Sequence, residues 1–123
     1  MKTASDASEK RGEQRYRAME RALALMCGSP AELAYHIIDI SKSGLAFRYP
    51  GAKKPDGAIT AIHLCYNDRL CVAEVAVTSV ADRWIGSDLT EIRRQSLSFG
   101  ALSATQRQQL DRFIQLYTLD EPR

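Results

Sequence analysis

Aromatic side chains are scarce: three Phe, one Trp and five Tyr make up 7% of the 123 residues. That is little for the stacking platforms of a single-stranded nucleic-acid groove. Neither sign of charge dominates, since 17 Lys and Arg face 15 Asp and Glu for a formal net charge of +2. General polyanion binding is not expected of such a balance. Long apolar runs are missing too. The longest, Ala22–Cys27, has six residues, against the roughly 20 that a membrane-spanning helix needs. Met1 to Tyr16 contain no apolar stretch of the kind a secretory signal carries. Cysteines number three, at irregular spacing. An odd count gives no disulfide framework and suits a reducing compartment, so free thiols and a cytoplasmic location are expected.

Catalytic signatures are equally absent. The sequence holds no nucleophile elbow, P-loop or dinucleotide fingerprint. The soft metal ligands are His36, His63, Cys27, Cys65 and Cys71, with no C-x-x-C or H-x-x-x-H spacing among them. A protein that is not an enzyme, without metal or cofactor, is the expectation.

What is present is an ordinary globular composition, 45% hydrophobic and 26% charged, of a length that suits one domain. Residues 1–14 hold almost no large apolar side chain and read as a flexible arm. Short apolar segments separated by turn signals follow. Arg21–Cys27 could be strand or helix, and Gly28-Ser29-Pro30 ends it. Leu33–Ile40 is β-rich, and Gly44–Tyr49 alternates, with Leu45, Phe47 and Tyr49 on one side and Ala46 and Arg48 on the other. Pro50–Gly57 is a loop, and its Lys53-Lys54 reads as a solvated charge pair. Ala58–Tyr66 and Arg69–Thr78 flank a two-residue hairpin turn at Asn67-Asp68, a register that pairs Cys71 with Leu64. Residues 79–91 carry no clear pattern, and their Trp84 reads as a core or rim anchor. Ile92–Leu102 is a weaker strand candidate.

Leu110, Phe113, Ile114 and Tyr117 follow the i, i+3, i+4, i+7 spacing of an amphipathic helix, and Ser103 with Gln106 forms a capping box at its start. The whole predicts a mainly β fold: a six- or seven-stranded antiparallel barrel with one C-terminal helix over Ser103–Tyr117.

Two motifs stand out. Arg11-Gly-Glu-Gln-Arg15 sets two arginines four apart where the arm meets the barrel, and 12 of the 17 basic residues are arginine. Asp39-Ile-Ser-Lys-Ser-Gly44 is a D-x-S-x-x-G pattern between two strands, a rare pattern by chance. Read as local structure it is a well-made turn, with Asp and Ser bonding back to backbone and Gly free to take a positive φ.

In this order and at a separation of 24 positions between Arg15 and Asp39, the two motifs resemble the signature of the PilZ domain family. Ile37–Phe47 looks like the family's second and third strands, and Leu97–Phe99 with Ser103–Ile114 like its last strand and terminal helix. Lys10 stands where the family often has an arginine, and Ser96 where a glycine is common.

The resemblance implies a PilZ-like, split-barrel type of domain over residues 10–118, behind an arm at 1–9 and ahead of a tail at 119–123. It implies a bacterial cyclic di-GMP receptor whose ligand orders the arm against the barrel and so signals to a protein partner of motility, pilus or polysaccharide machinery. The alternative is a PilZ-like interaction module that binds no nucleotide. The implied site is Lys10, Arg11, Arg15, Asp39, Ser41 and Gly44. Asp39 would accept from guanine N1 and N2, Ser41 would supply a hydroxyl, and Gly44 would admit close backbone approach. Arg11 and Arg15 would grip phosphate and guanine with their planar forks, whereas Lys10 offers charge without the fork.

Overall fold

The computed structural model describes residues 13–28, 33–51, 59–86 and 89–122. The expected arm at 1–9, together with Lys10 and Arg11, lies outside them. The described residues form eight strands and one helix: β1 (Tyr16–Ala18), β2 (Ala22–Met26), β3 (Ala34–Ile40), β4 (Gly44–Pro50), β5 (Ala61–Tyr66), β6 (Arg69–Trp84), β7 (Ile92–Phe99), α1 (Ala104–Tyr117) and β8 (Thr118–Pro122). The sheet order is β2-β5-β6-β7-β4-β3, and β3 pairs back with β2 to close a six-stranded antiparallel barrel. Outside the ring, β1 continues along β3 and β8 along β1.

The segment open to two readings is a strand. Ala22, Ala24 and Met26 are buried while Leu23 and Leu25 are half-buried, a period of two that a helix could not give. β4 faces the core with Leu45, Phe47 and Tyr49; the two aromatics cluster with Tyr35, whose ring stacks on Phe47 at 5.4 Å. Gly28 and Gly51, each with positive φ, supply bends past the ends of β2 and β4.

Two bulges shape the β5–β6 hairpin, and they correct the expected register. The turn is the two-residue Asn67-Asp68, with Asn67 in the left-handed region (φ 57°). Cys65 then pairs with Leu70, but Leu64 pairs with Val72, so Cys71 is the extra residue of a bulge and not the partner of Leu64. A second irregularity sets Glu74 at φ 51°, its amide donating to His63 Nδ1 at 3.0 Å. All three cysteines are free thiols.

β6 runs on to Trp84, past the end expected at Thr78. It first serves β5 and then β7, and a register shift between Ser79 and Ala81 breaks the alternation there. Trp84 is a rim residue, half exposed, with its indole donating to the Thr90 carbonyl at 3.3 Å. Residues 118–122, expected as a tail from 119 onwards, form β8.

The helix begins as its sequence dictates. The Gln106 amide donates to Ser103 Oγ at 3.0 Å, and the Ser103 amide to Gln106 Oε1 at 2.9 Å. The Gln106 side-chain amide also donates to the carbonyls of Ala73 and Glu74, bolting the helix start to the bulge of β6. Leu110 and Phe113 enter the core, and Tyr117 stacks on Tyr66 with ring centres 4.1 Å apart.

Candidate functional site

β3 carries Asp39 on the outer wall of the barrel. Its register sets Asp39 beside Arg17 on β1 and beside Ala46 on β4, and Ala46 in turn lies beside Ser96 on β7. Arg15 precedes β1, so the β1–β3 pairing delivers its side chain to Asp39. The Arg15 guanidinium donates to Asp39 Oδ1 from Nε at 3.0 Å and from Nη2 at 2.6 Å. The first motif's second arginine and the second motif's acid are therefore in direct contact.

A third group completes the cluster. Arg94 on β7 donates from Nη2 to Asp39 Oδ2 at 3.2 Å. It spans β4 diagonally, since its own neighbour on that strand is Arg48 while that of Asp39 is Ala46. Asp39, with its side chain 5% exposed, thus has each carboxylate oxygen held by a different guanidinium. Arg94 also lies directly between Arg48 on β4 and Arg83 on β6, so three arginines form a row across the outer face. Like charges placed opposite one another oppose folding, and Asp39 offsets the central one.

The β3–β4 turn holds Ser41 and Gly44. Ser41 is fully buried, its amide donates to the Gly44 carbonyl at 2.8 Å, and its Oγ accepts from the Ser43 amide at 3.3 Å. The hydroxyls of Ser41 (3.0 Å) and Ser43 both donate to Glu13 Oε1. Gly44 is not in the positive-φ region, which differs from the expectation for this turn. Its requirement is spatial: a Cβ there would lie 2.2 Å from the Leu97 carbonyl oxygen of β7. The glycine lets β4 and β7 approach each other.

The structure therefore brings together Arg15, Asp39, Ser41 and Gly44, while Lys10 and Arg11 lie outside the described residues. Sequence reasoning missed Glu13 and Arg94. Glu13 was in view as the middle of R-x-x-x-R, an acid where two cations draw attention. Arg94 is the second of two arginines in an otherwise strand-like run, and alternation sends them to opposite faces. Arg93 turns to Asp82, which it reaches from Nε at 2.7 Å and which also accepts from the Tyr49 hydroxyl. The Asp82 hydrogen bond raises the Arg93 pKa further.

Elsewhere, burial pushes the thiols of Cys27, Cys65 and Cys71 up, which keeps them protonated near neutral pH. Among the described residues no three His, Cys, Asp or Glu side chains cluster as metal ligands, and no helix is long and apolar enough to cross a membrane.

No protein-family model matches the sequence, and no curated protein matches it. Among solved structures, the fold is similar to that of YcgR from Escherichia coli, crystallised in complex with c-di-GMP. The TM-score is 0.58 at 18% identity. The similarity covers 81% of this chain and 42% of YcgR, so this chain matches less than half of that protein. The likeness establishes the fold as PilZ-like: a closed six-stranded barrel, two outer strands and a C-terminal helix.

Proposed function

We propose that this protein is a receptor for cyclic di-GMP, acting by binding and not by catalysis. One observation carries the reading: Arg15 and Asp39, drawn from two motifs 24 residues apart, meet on the outer wall of the barrel at 2.6 Å. The fold is shared with a protein solved in complex with c-di-GMP.

The chemistry of the cluster suits the ligand. Guanine donates from N1 and N2 on its Watson–Crick edge, and a carboxylate accepts both. Its O6 and N7 accept from a guanidinium fork, and each phosphate calls for cationic donors. Arg15, 36% exposed, is free to turn from Asp39 to the ligand. Arg94 keeps Asp39 oriented while it does so. Arg11 and Lys10 would close from the arm, and the arm's ordering would be the signal that a protein partner reads.

Calorimetric titration tests the reading. Arg15→Ala and Asp39→Ala should each cost about 1.5–3 kcal/mol of binding, ten- to over a hundred-fold. Ser41→Ala should cost about 0.5–1.5 kcal/mol. If the wild type shows no binding up to about 1 mM ligand, some 4 kcal/mol on the affinity scale, the receptor reading fails and a non-binding interaction module replaces it. If it binds and both variants bind equally well, the ligand sits elsewhere.

A further inference from the structure

We propose that Glu13 is a built-in competitor for the ligand's phosphate, an acid on the receptor's own arm that occupies the phosphate's donors until ligand displaces it. The inference rests on the receptor reading above and concerns how that site is regulated.

The contacts are specific. A single carboxylate oxygen, Glu13 Oε1, accepts from both hydroxyls of the D-x-S-x-x-G turn. Ser41 is fully buried, and another acceptor for its proton, the Gly44 carbonyl, is 3.4 Å away, a poor hydrogen bond. A buried hydroxyl wants a better partner, and an anionic oxygen is a strong one. Carboxylate and phosphate oxygens make the same demand on two hydroxyl donors.

Charge leads the same way. In the free protein Asp39 is held by Arg15 and Arg94, with Arg48 and Arg83 flanking Arg94, and Glu13 adds a second acid at the neighbouring turn. Glu13 therefore offsets part of the positive field that a dianionic ligand would meet. Moving Glu13 out strengthens that field and frees both hydroxyls at once. Glu13 is separated from Arg15 by one residue, so expelling the acid moves the arginine that must release Asp39. Ligand entry and arm movement become one event. The measured affinity is then the intrinsic affinity reduced by the fraction of molecules in which Glu13 is already out.

The test is calorimetric titration of cyclic di-GMP into wild type, Glu13→Gln and Glu13→Ala, with Glu20→Gln as a control. Glu20 is an exposed acid whose substitution makes the same change in net charge without touching the turn. The two Glu13 variants should bind about tenfold more tightly than wild type, the scale of one charge-assisted hydrogen bond. Glu20→Gln should stay within about twofold, as expected of an exposed, screened charge. In the ligand-free protein, Glu13→Gln should also speed amide exchange at Arg15 and Tyr16. Equal or weaker binding by both Glu13 variants overturns the competitor role while leaving the receptor reading intact. An equal gain in Glu20→Gln overturns it as well, since net charge alone would then explain the effect. If neither wild type nor any variant binds up to about 1 mM, the receptor reading fails and this inference falls with it.

Discussion

Arg94→Ala isolates the contact that sequence reasoning missed. The substitution removes the 3.2 Å bond to Asp39 Oδ2 and leaves that oxygen without a guanidinium, while Arg15 keeps Oδ1. A hydrogen bond to a charged group is worth about 1.5–3 kcal/mol. The lower end applies here, because the bond is longer than the 2.7–2.9 Å usual for such pairs and Arg94 is 23% exposed. Against this, the variant relieves the repulsion of Arg94 with Arg48 and Arg83, worth roughly 0.2–1 kcal/mol. The net loss is about 0.5–1.3 kcal/mol, or about 2–5 °C in Tm for a domain of this size. Thermal unfolding followed by circular dichroism at low salt measures it. Arg48→Ala relieves the Arg48–Arg94 part of that repulsion without removing a contact of Asp39, so it should leave Tm unchanged or slightly raised. In an Asp39→Asn background the cost of Arg94→Ala should largely vanish. Two results would refute the view that the acid holds the arginine row together: an Arg94→Ala variant as stable as wild type, or a cost undiminished in the Asp39→Asn background.

Three further outcomes follow from packing and titration. Gly44→Ala should lose about 1–3 kcal/mol in denaturant unfolding, because its Cβ would collide with the Leu97 carbonyl at 2.2 Å and overpacking against backbone costs that much; wild-type stability would show that β4 and β7 part easily. Gln106→Ala should cost more than Ser103→Ala, itself about 1 kcal/mol, since Gln106 serves the cap and two carbonyls of β6; equal losses would mean that those carbonyls gain nothing from it. With thiol pKa values raised by burial, labelling by a thiol reagent should be slower at pH 8 than for an unfolded control and should accelerate as pH rises, with buried Cys65 the slowest; rapid labelling of Cys65 at pH 7 in the native protein would contradict its placement.

Local order was legible wherever a period was long and clean. The alternation of Leu45, Phe47 and Tyr49 and the apolar stripe of the helix each occupy at least two periods, so neighbours confirm one another. β1 has three residues, too few to show a period. β6 past Thr78 was unreadable because the shift between Ser79 and Ala81 moves the side chains to the other phase. Cys71 was misplaced for the same reason, since a bulge leaves no mark in composition. At the site, Asp39 and Arg15 were legible as motif members, and the structure brings them into contact. Arg94 was not, because its contact depends on which strand lies two positions away in the sheet. Glu13 needed the arm's path, which β1 alone decides.

The outer strands bear on the order in which the molecule assembles. The β5–β6 hairpin closes over two residues and can form early, whereas Gly44 must find Ser98 and Ala18 must find Thr118, a hundred residues along the chain. Such distant pairings carry a large entropy of closure before any contact rewards it, and they make barrels slow folders. β1 pairs with β3 at one edge and with β8 at the other, so its pairing is complete only once the helix that precedes β8 has seated. Arg15 and Glu13 travel with β1. Asp39 and Arg94 come together with the ring, whereas Arg15 and Glu13 need β1 in place, so a molecule with β1 undocked would have an intact barrel, a native-looking far-ultraviolet spectrum and an incomplete site.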